Sequence, residues 1–141
     1  MEKNELEVDI KVPNQTRYLS LIGRIGEDIA KELDRYTGDK ETLAYHLNLV
    51  LTEAMVNAIK YAHSGETDNM VHIVINICDE DLTIKVYDNG QGFDINTIPP
   101  PNFDELEDRG RGIFMIRSLM DSVCYRHVGD GNVLEMRKRL Q

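Results

Sequence analysis

The stretch from Leu49 to His63 constrains the fold more than any other part of the chain. Leu47, Val50, Leu51, Ala54, Ala58 and Tyr61 recur at helical spacing, which predicts an amphipathic helix over about Lys40–Ala62. Polar residues interrupt the pattern where a buried face should stay apolar. Glu53 and Asn57 are four apart, so they stack on one face, one turn from each other. The pair reads in two ways. It is a solvated face with a local hydrogen bond, or it is an anionic base beside a neutral oxygen ligand, suited to holding a metal and steering a proton.

The rest of the chain supplies layers for that helix to pack against. Leu6, Val8, Ile10 and Val12 alternate with charged residues, the mark of a strand with one buried face, which Pro13 and Asn14 should end. Leu19, Ile22, Ile25, Ile29 and Leu33 predict a helix from Gln15 to about Tyr36. Gly23 and Gly26 weaken its propensity, so packing must hold it. Val71, Ile73, Ile75 and Ile77 alternate, as do Leu82, Ile84 and Val86, with a short hairpin connection at Asp79–Asp81.

Phe93–Asp108 has no period and carries three prolines and an acidic run, so it reads as a long surface loop. A third helix is expected over Gly112 to about Met120, then strands over Ser122–Val128 and Asn132–Arg139. Strand pairs joined by short turns predict a mixed, mostly antiparallel sheet covered on one face by three helices. The expected class is therefore a two-layer α/β (α+β) sandwich, one domain spanning residues 1–141.

Composition narrows the function. Apolar residues make up 41% of the chain and charged residues 29%, an ordinary globular balance that excludes a disordered or fibrous chain. The net charge of −9 repels phosphate backbones and anionic lipid, so no direct nucleic-acid partner is expected. A nucleotide remains compatible, because local amides, Mg2+ and a few basic side chains dominate such a site. No apolar run approaches the ~20 residues that span a bilayer, so no membrane association is expected. Cys78 and Cys124 form no Cys-x-x-Cys pattern and no signal-like start precedes them; they read as reduced thiols of a cytoplasmic protein, packed as small hydrophobes. His46, His63, His72 and His127 lack metal-ligand spacing.

Two glycine boxes follow. Asp88-Asn89-Gly90-Gln91-Gly92 comes after a predicted strand. It is an ordinary Asn-Gly turn, or a site where Asp88 accepts a hydrogen bond from an adenine amino group while Gly90 and Gly92 let the backbone approach. Arg109-Gly110-Arg111-Gly112 stands at the mouth of the third helix. It is a flexible entrance with solvated arginines, or a phosphate cradle of free amides with Arg109 or Arg111 neutralising charge. The chain has no Walker pattern.

Taken in order, the Glu53-Ala54-Met55-Val56-Asn57-Ala58 helix, the Asp88-x-Gly90-x-Gly92 box, the long loop and the Gly110-x-Gly112 box resemble the GHKL (Bergerat-fold) ATPases. Within them the chain is similar to bacterial anti-sigma-factor serine/threonine kinases. Ile10-Lys11-Val12-Pro13 before a helix, Gly110-Arg111-Gly112-Ile113-Phe114-Met115-Ile116 and Leu119-Met120-Asp121-Ser122-Val123 carry that likeness over nearly the whole length.

The resemblance implies an ATP- and Mg2+-dependent protein kinase. Glu53 would be the base for a serine hydroxyl and Asn57 the metal ligand. Asp88 would read adenine, Gly90 and Gly92 would shape its pocket, and Gly110 and Gly112 would hold phosphate, with either Arg109 or Arg111 reaching it. Lys60, in an Asn-x-x-Lys-Tyr run similar to that of histidine kinases, would touch phosphate or stay an exposed helical lysine. Phe93–Asp108 would be an ATP lid. Val133 stands where the family often has a threonine near the adenine-binding aspartate.

The implied partners are a small antagonist protein as phosphoacceptor and a sigma factor or other regulatory target, with the kinase a homodimer. Two other functions fit the same residues. A histidine-kinase-like ATPase domain is disfavoured because no phosphoacceptor hairpin precedes the domain. A non-catalytic, nucleotide-gated binding module is disfavoured because a pure binder needs no Glu53.

Overall fold

Alternation of apolar and polar residues builds the sheet, and its register builds the core. The computed structural model describes residues 5–33, 36–60, 70–88, 111–129 and 131–140. Strands β1 (Glu5–Pro13), β2 (Met70–Cys78), β3 (Asp81–Asp88), β4 (Ser122–Val128) and β5 (Gly131–Arg139) form one sheet in the order β1-β2-β3-β5-β4. Each of the four pairings is antiparallel. The β2–β3 register sets Ile73 opposite Val86, Ile75 opposite Ile84 and Ile77 opposite Leu82. β3 then sets Val86 opposite Leu134 and Ile84 opposite Met136. One face of the sheet is thereby a continuous apolar surface.

Helices α1 (Leu19–Lys31), α2 (Lys40–Lys60) and α3 (Arg111–Leu119) supply the second layer. Ile22, Leu47, Leu51, Met55, Ile113 and Ile116 are fully buried in the same core as Ile73, Ile75 and Ile84. Each such side chain contributes roughly 1.5–3 kcal/mol when removed from water. α2 is the central helix and touches α1, α3, β2 and β3. Burial on several sides explains why its sequence lacks a single clean stripe: its half-buried polar positions face neighbouring elements rather than bulk water.

The local choices have visible causes. Pro13 is tolerated as the last residue of β1 because that strand lies on the sheet edge. The expected first helix begins later, at Leu19, after a separate 3-10 turn over Thr16–Tyr18. Asp39 caps α2: its carboxylate accepts from the Glu41 N–H at 3.0 Å and from the Thr42 hydroxyl at 2.9 Å. Gly26 lets α1 approach α2, since a Cβ there would stand 2.6 Å from Leu51 Cδ1 and 3.1 Å from the Leu47 carbonyl. The β2–β3 hairpin turns on Asp79, at φ 55°, a conformation aspartate accepts more readily than most residues. Among the described residues no helix is long and apolar enough to cross a membrane. Cys78 and Cys124 are free thiols, but both are exposed at the sheet and not packed as small hydrophobes, because each falls on the outward phase of its strand's alternation.

The opposite face of the sheet is polar. Glu135 on β5 lies 3.6 Å from Lys85 and 3.5 Å from Arg126. A groove of about 310 Å³ runs there past Asn76, Thr83, Tyr87 and Arg137. It faces away from the helices and therefore from Glu53, Asn57 and the Asp88 carboxylate.

Candidate functional site

Among the described residues, the expected site residues Glu53, Asn57, Gly112 and Asp88 fall into two groups on the helix side of the sheet. The first belongs to α2 and the start of α3. Glu53 and Asn57 are half-buried on consecutive turns of α2, and Gly112 is buried in the first turn of α3. The helices meet at these residues. A Cβ on Gly112 would stand 2.6 Å from Glu53 Oε2, 3.5 Å from Glu53 Cβ and 3.4 Å from Asn57 Nδ2. Asn57 Nδ2 is buried and makes no hydrogen bond among the described residues. A buried amide left so costs free energy unless a ligand or water serves it. The first-turn N–H groups of α3 also lie at this junction and have no acceptor within the helix.

The other end of α3 is fixed to β5. Lys138 Nζ donates to the Leu119 carbonyl at 3.0 Å, a cation at the negative end of the helix. Asp121 N–H donates to the Arg137 carbonyl at 2.8 Å, and the Asp121 carboxylate accepts from the Arg139 N–H at 2.5 Å. These bonds tie the helix axially, so the placement of Gly112 against α2 follows from the sheet.

The second group sits where β3 ends and β5 begins. Asp88 continues the inward series Leu82, Ile84, Val86, and is only 9% exposed. The register sets Asn132, 2% exposed, opposite it. Asn132 Nδ2 donates to Asp88 Oδ1 at 3.0 Å. A charge-assisted bond of this kind fixes one carboxylate oxygen and orients the other.

Asn132 is the residue that sequence reasoning missed. The signal was its alternation with Leu134 and Met136, which puts all three on one face. Val133, expected beside Asp88, instead lies opposite Tyr87 on the other face of the strand pair. Lys60 is exposed at the last turn of α2. Gly90, Gly92, Arg109, Gly110 and the loop 93–108 lie outside the described residues, as does the side chain of Arg111.

The pattern of the histidine kinase-like ATPase domain matches residues 13–138. The serine-protein kinase RsbW of Bacillus subtilis (strain 168) is 27% identical over 131 residues, covering 87% of this chain and 79% of that one. RsbW of Listeria innocua is 30% identical over 83% of this chain and 77% of its own. RsbW of Staphylococcus aureus (strain JH9) is 30% identical over 92% and 85%. Among solved structures, the histidine kinase domain of the Erythrobacter litoralis EL346 blue-light activated histidine kinase superposes with a TM-score of 0.57 at 19% identity. It covers 92% of this chain, and this chain spans 62% of that one. That likeness carries the fold: an antiparallel sheet flanked by helices, as in the Bergerat ATP-binding fold.

Proposed function

Because the chain belongs to the histidine kinase-like ATPase domain family and is homologous to RsbW-type anti-sigma-factor kinases, we propose that it is an ATP-dependent protein-serine/threonine kinase of a partner-switching system. It acts as one domain over residues 1–141, phosphorylates a small antagonist protein, and binds a sigma factor or comparable target as the alternative partner. The observation that carries this reading is the packing of Glu53 and Asn57 against the first turn of α3 at Gly112. A pure binding module has no use for a carboxylate at that place.

Each residue has a task. The Asp88 carboxylate, oriented by Asn132, accepts a hydrogen bond from the adenine amino group. Gly90 and Gly92 shape the adenine pocket. The first turn of α3, together with Gly110 and Arg109 or Arg111, receives the phosphates on free amides and positive charge. The side-chain oxygen of Asn57 is the atom that would hold Mg2+, which would neutralise phosphate charge, while its buried Nδ2, a donor, would serve an oxygen of the nucleotide. Glu53 accepts the proton of the serine hydroxyl as that oxygen attacks the γ-phosphorus. The bond to the β-phosphate oxygen breaks and ADP leaves with the electron pair.

Affinity capture on the immobilised protein with ATP or ADP, followed by phosphosite mapping, tests the reading. A small protein captured with ADP and carrying phosphoserine after ATP supports it. Partners identical in both states and free of phosphate would leave only a binding module.

A further inference from the structure

Gly112 belongs to a box whose glycines are expected to serve close approach to phosphate, yet its own surroundings say otherwise. It lies in the helix α3, and among the described residues the positive-φ glycine is Gly129, so its backbone does not require glycine. In a helix, alanine is the better former. What excludes a side chain is α2: the Cβ would be 2.6 Å from Glu53 Oε2, while Asn57 Nδ2 at 3.4 Å and Glu53 Cβ at 3.5 Å are ordinary contacts.

We infer that Gly112 is a positioning residue for Glu53, its missing side chain being the space in which the Glu53 carboxylate rests against α3. The inference rests on the reading of Glu53 as the base. The close contact is with the far end of a flexible side chain and not with backbone, so an alanine is accommodated by retreat of the carboxylate rather than by movement of the helix. Restoring ordinary contact requires a shift of roughly 1 Å, and a misplacement of that size can cost on the order of 100-fold in rate. Asn57 and the α3 amides stay where they are, so nucleotide binding survives. Gly112→Ala therefore separates turnover from affinity, opposite to what a glycine serving phosphate approach would do.

The test is a double-mutant cycle of Gly112→Ala and Glu53→Ala in the full chain. Three quantities are read: calorimetric affinity for ATP and ADP with Mg2+, orthophosphate release from γ-labelled ATP with water as acceptor, and thermal melting. The expected result is a Gly112→Ala protein with ATP affinity within about twofold of wild type and turnover at saturating ATP reduced about 100-fold. In the Glu53→Ala background the same change leaves turnover unaltered and raises the melting temperature more than it does in wild type. Weakened ATP binding with unchanged turnover at saturation would overturn the inference, as would equal melting shifts in both backgrounds. Wild-type turnover in Glu53→Ala would instead remove the base assignment itself, and is read separately.

Discussion

Replacing Asp88 by asparagine tests the nucleobase end of the site, and the structure sets its outcome. Asn132 Nδ2 donates to Asp88 Oδ1 at 3.0 Å within a nearly sealed pair. In Asp88→Asn that donor selects the amide orientation: the new side-chain oxygen stays against Asn132, and the NH2 group takes the other position. The fold keeps its hydrogen bond, now neutral, and loses about 1 kcal/mol of stability. The adenine amino group then meets a donor where it needs an acceptor.

An unsatisfied buried polar contact costs about 1–3 kcal/mol, which raises the ATP Kd roughly 5- to 150-fold. Titration calorimetry with ATP and Mg2+ measures it, and a thermal melt shows the fold intact. Adding Asn132→Ala releases the amide to rotate its oxygen toward the base, so the double variant should bind ATP more tightly than Asp88→Asn alone. Unchanged ATP affinity in Asp88→Asn would refute the adenine contact. A double variant no better than the single would refute the role of Asn132 in orienting the group.

Three further outcomes follow from the same geometry. Glu53→Gln should bind ATP but lose phosphoryl transfer by roughly 10²–10⁴-fold at saturating ATP, because an amide does not accept the serine proton at neutral pH; single-turnover transfer assays measure it. Gly26→Ala should destabilise the protein by about 1–3 kcal/mol in urea unfolding, since its Cβ would press on Leu51 and on the Leu47 backbone, which cannot retreat as a carboxylate can. The Thr42 hydroxyl and the Glu41 N–H hold the Asp39 carboxyl below its ordinary value of 3.8. A depressed carboxylate stabilises the fold above the unfolded pKa and loses that effect as pH falls through the folded one. The melting deficit of Asp39→Ala should thus be constant near neutrality and shrink below pH 3.8.

Strand and helix positions were legible wherever one face is buried. The alternation of Val71 to Ile77 and of Leu82 to Val86 is the imprint of the core itself, and the structure repeats it residue by residue. The spacing of Glu53 and Asn57 likewise forecast a shared face, and Gly112 meets both. Strand order was not legible: β4 lies outside β5, at the edge, because β5 pairs with β3 after the chain has passed through α3. No local pattern encodes that choice. The late start of α1 was hidden because Gln15–Tyr18 carries no breaker after Pro13. Asn132 was hidden behind the threonine that the resembled family prefers, although the period-2 pattern of β5 puts Val133 on the face of Tyr87 and Asn132 on that of Asp88.

The central claim is transfer of phosphate from ATP to a serine hydroxyl with Glu53 as base, and the chemical stability of the transferred label tests it most directly. Partners captured from the native cell should be incubated with this protein, γ-labelled ATP and Mg2+, then split between acid and alkali. The account predicts label on a small partner that survives acid and is lost in alkali, and that does not form with Glu53→Gln. Acid-labile label would mark a histidine acceptor, and undiminished transfer by Glu53→Gln would mark a different base; either result would contradict the account.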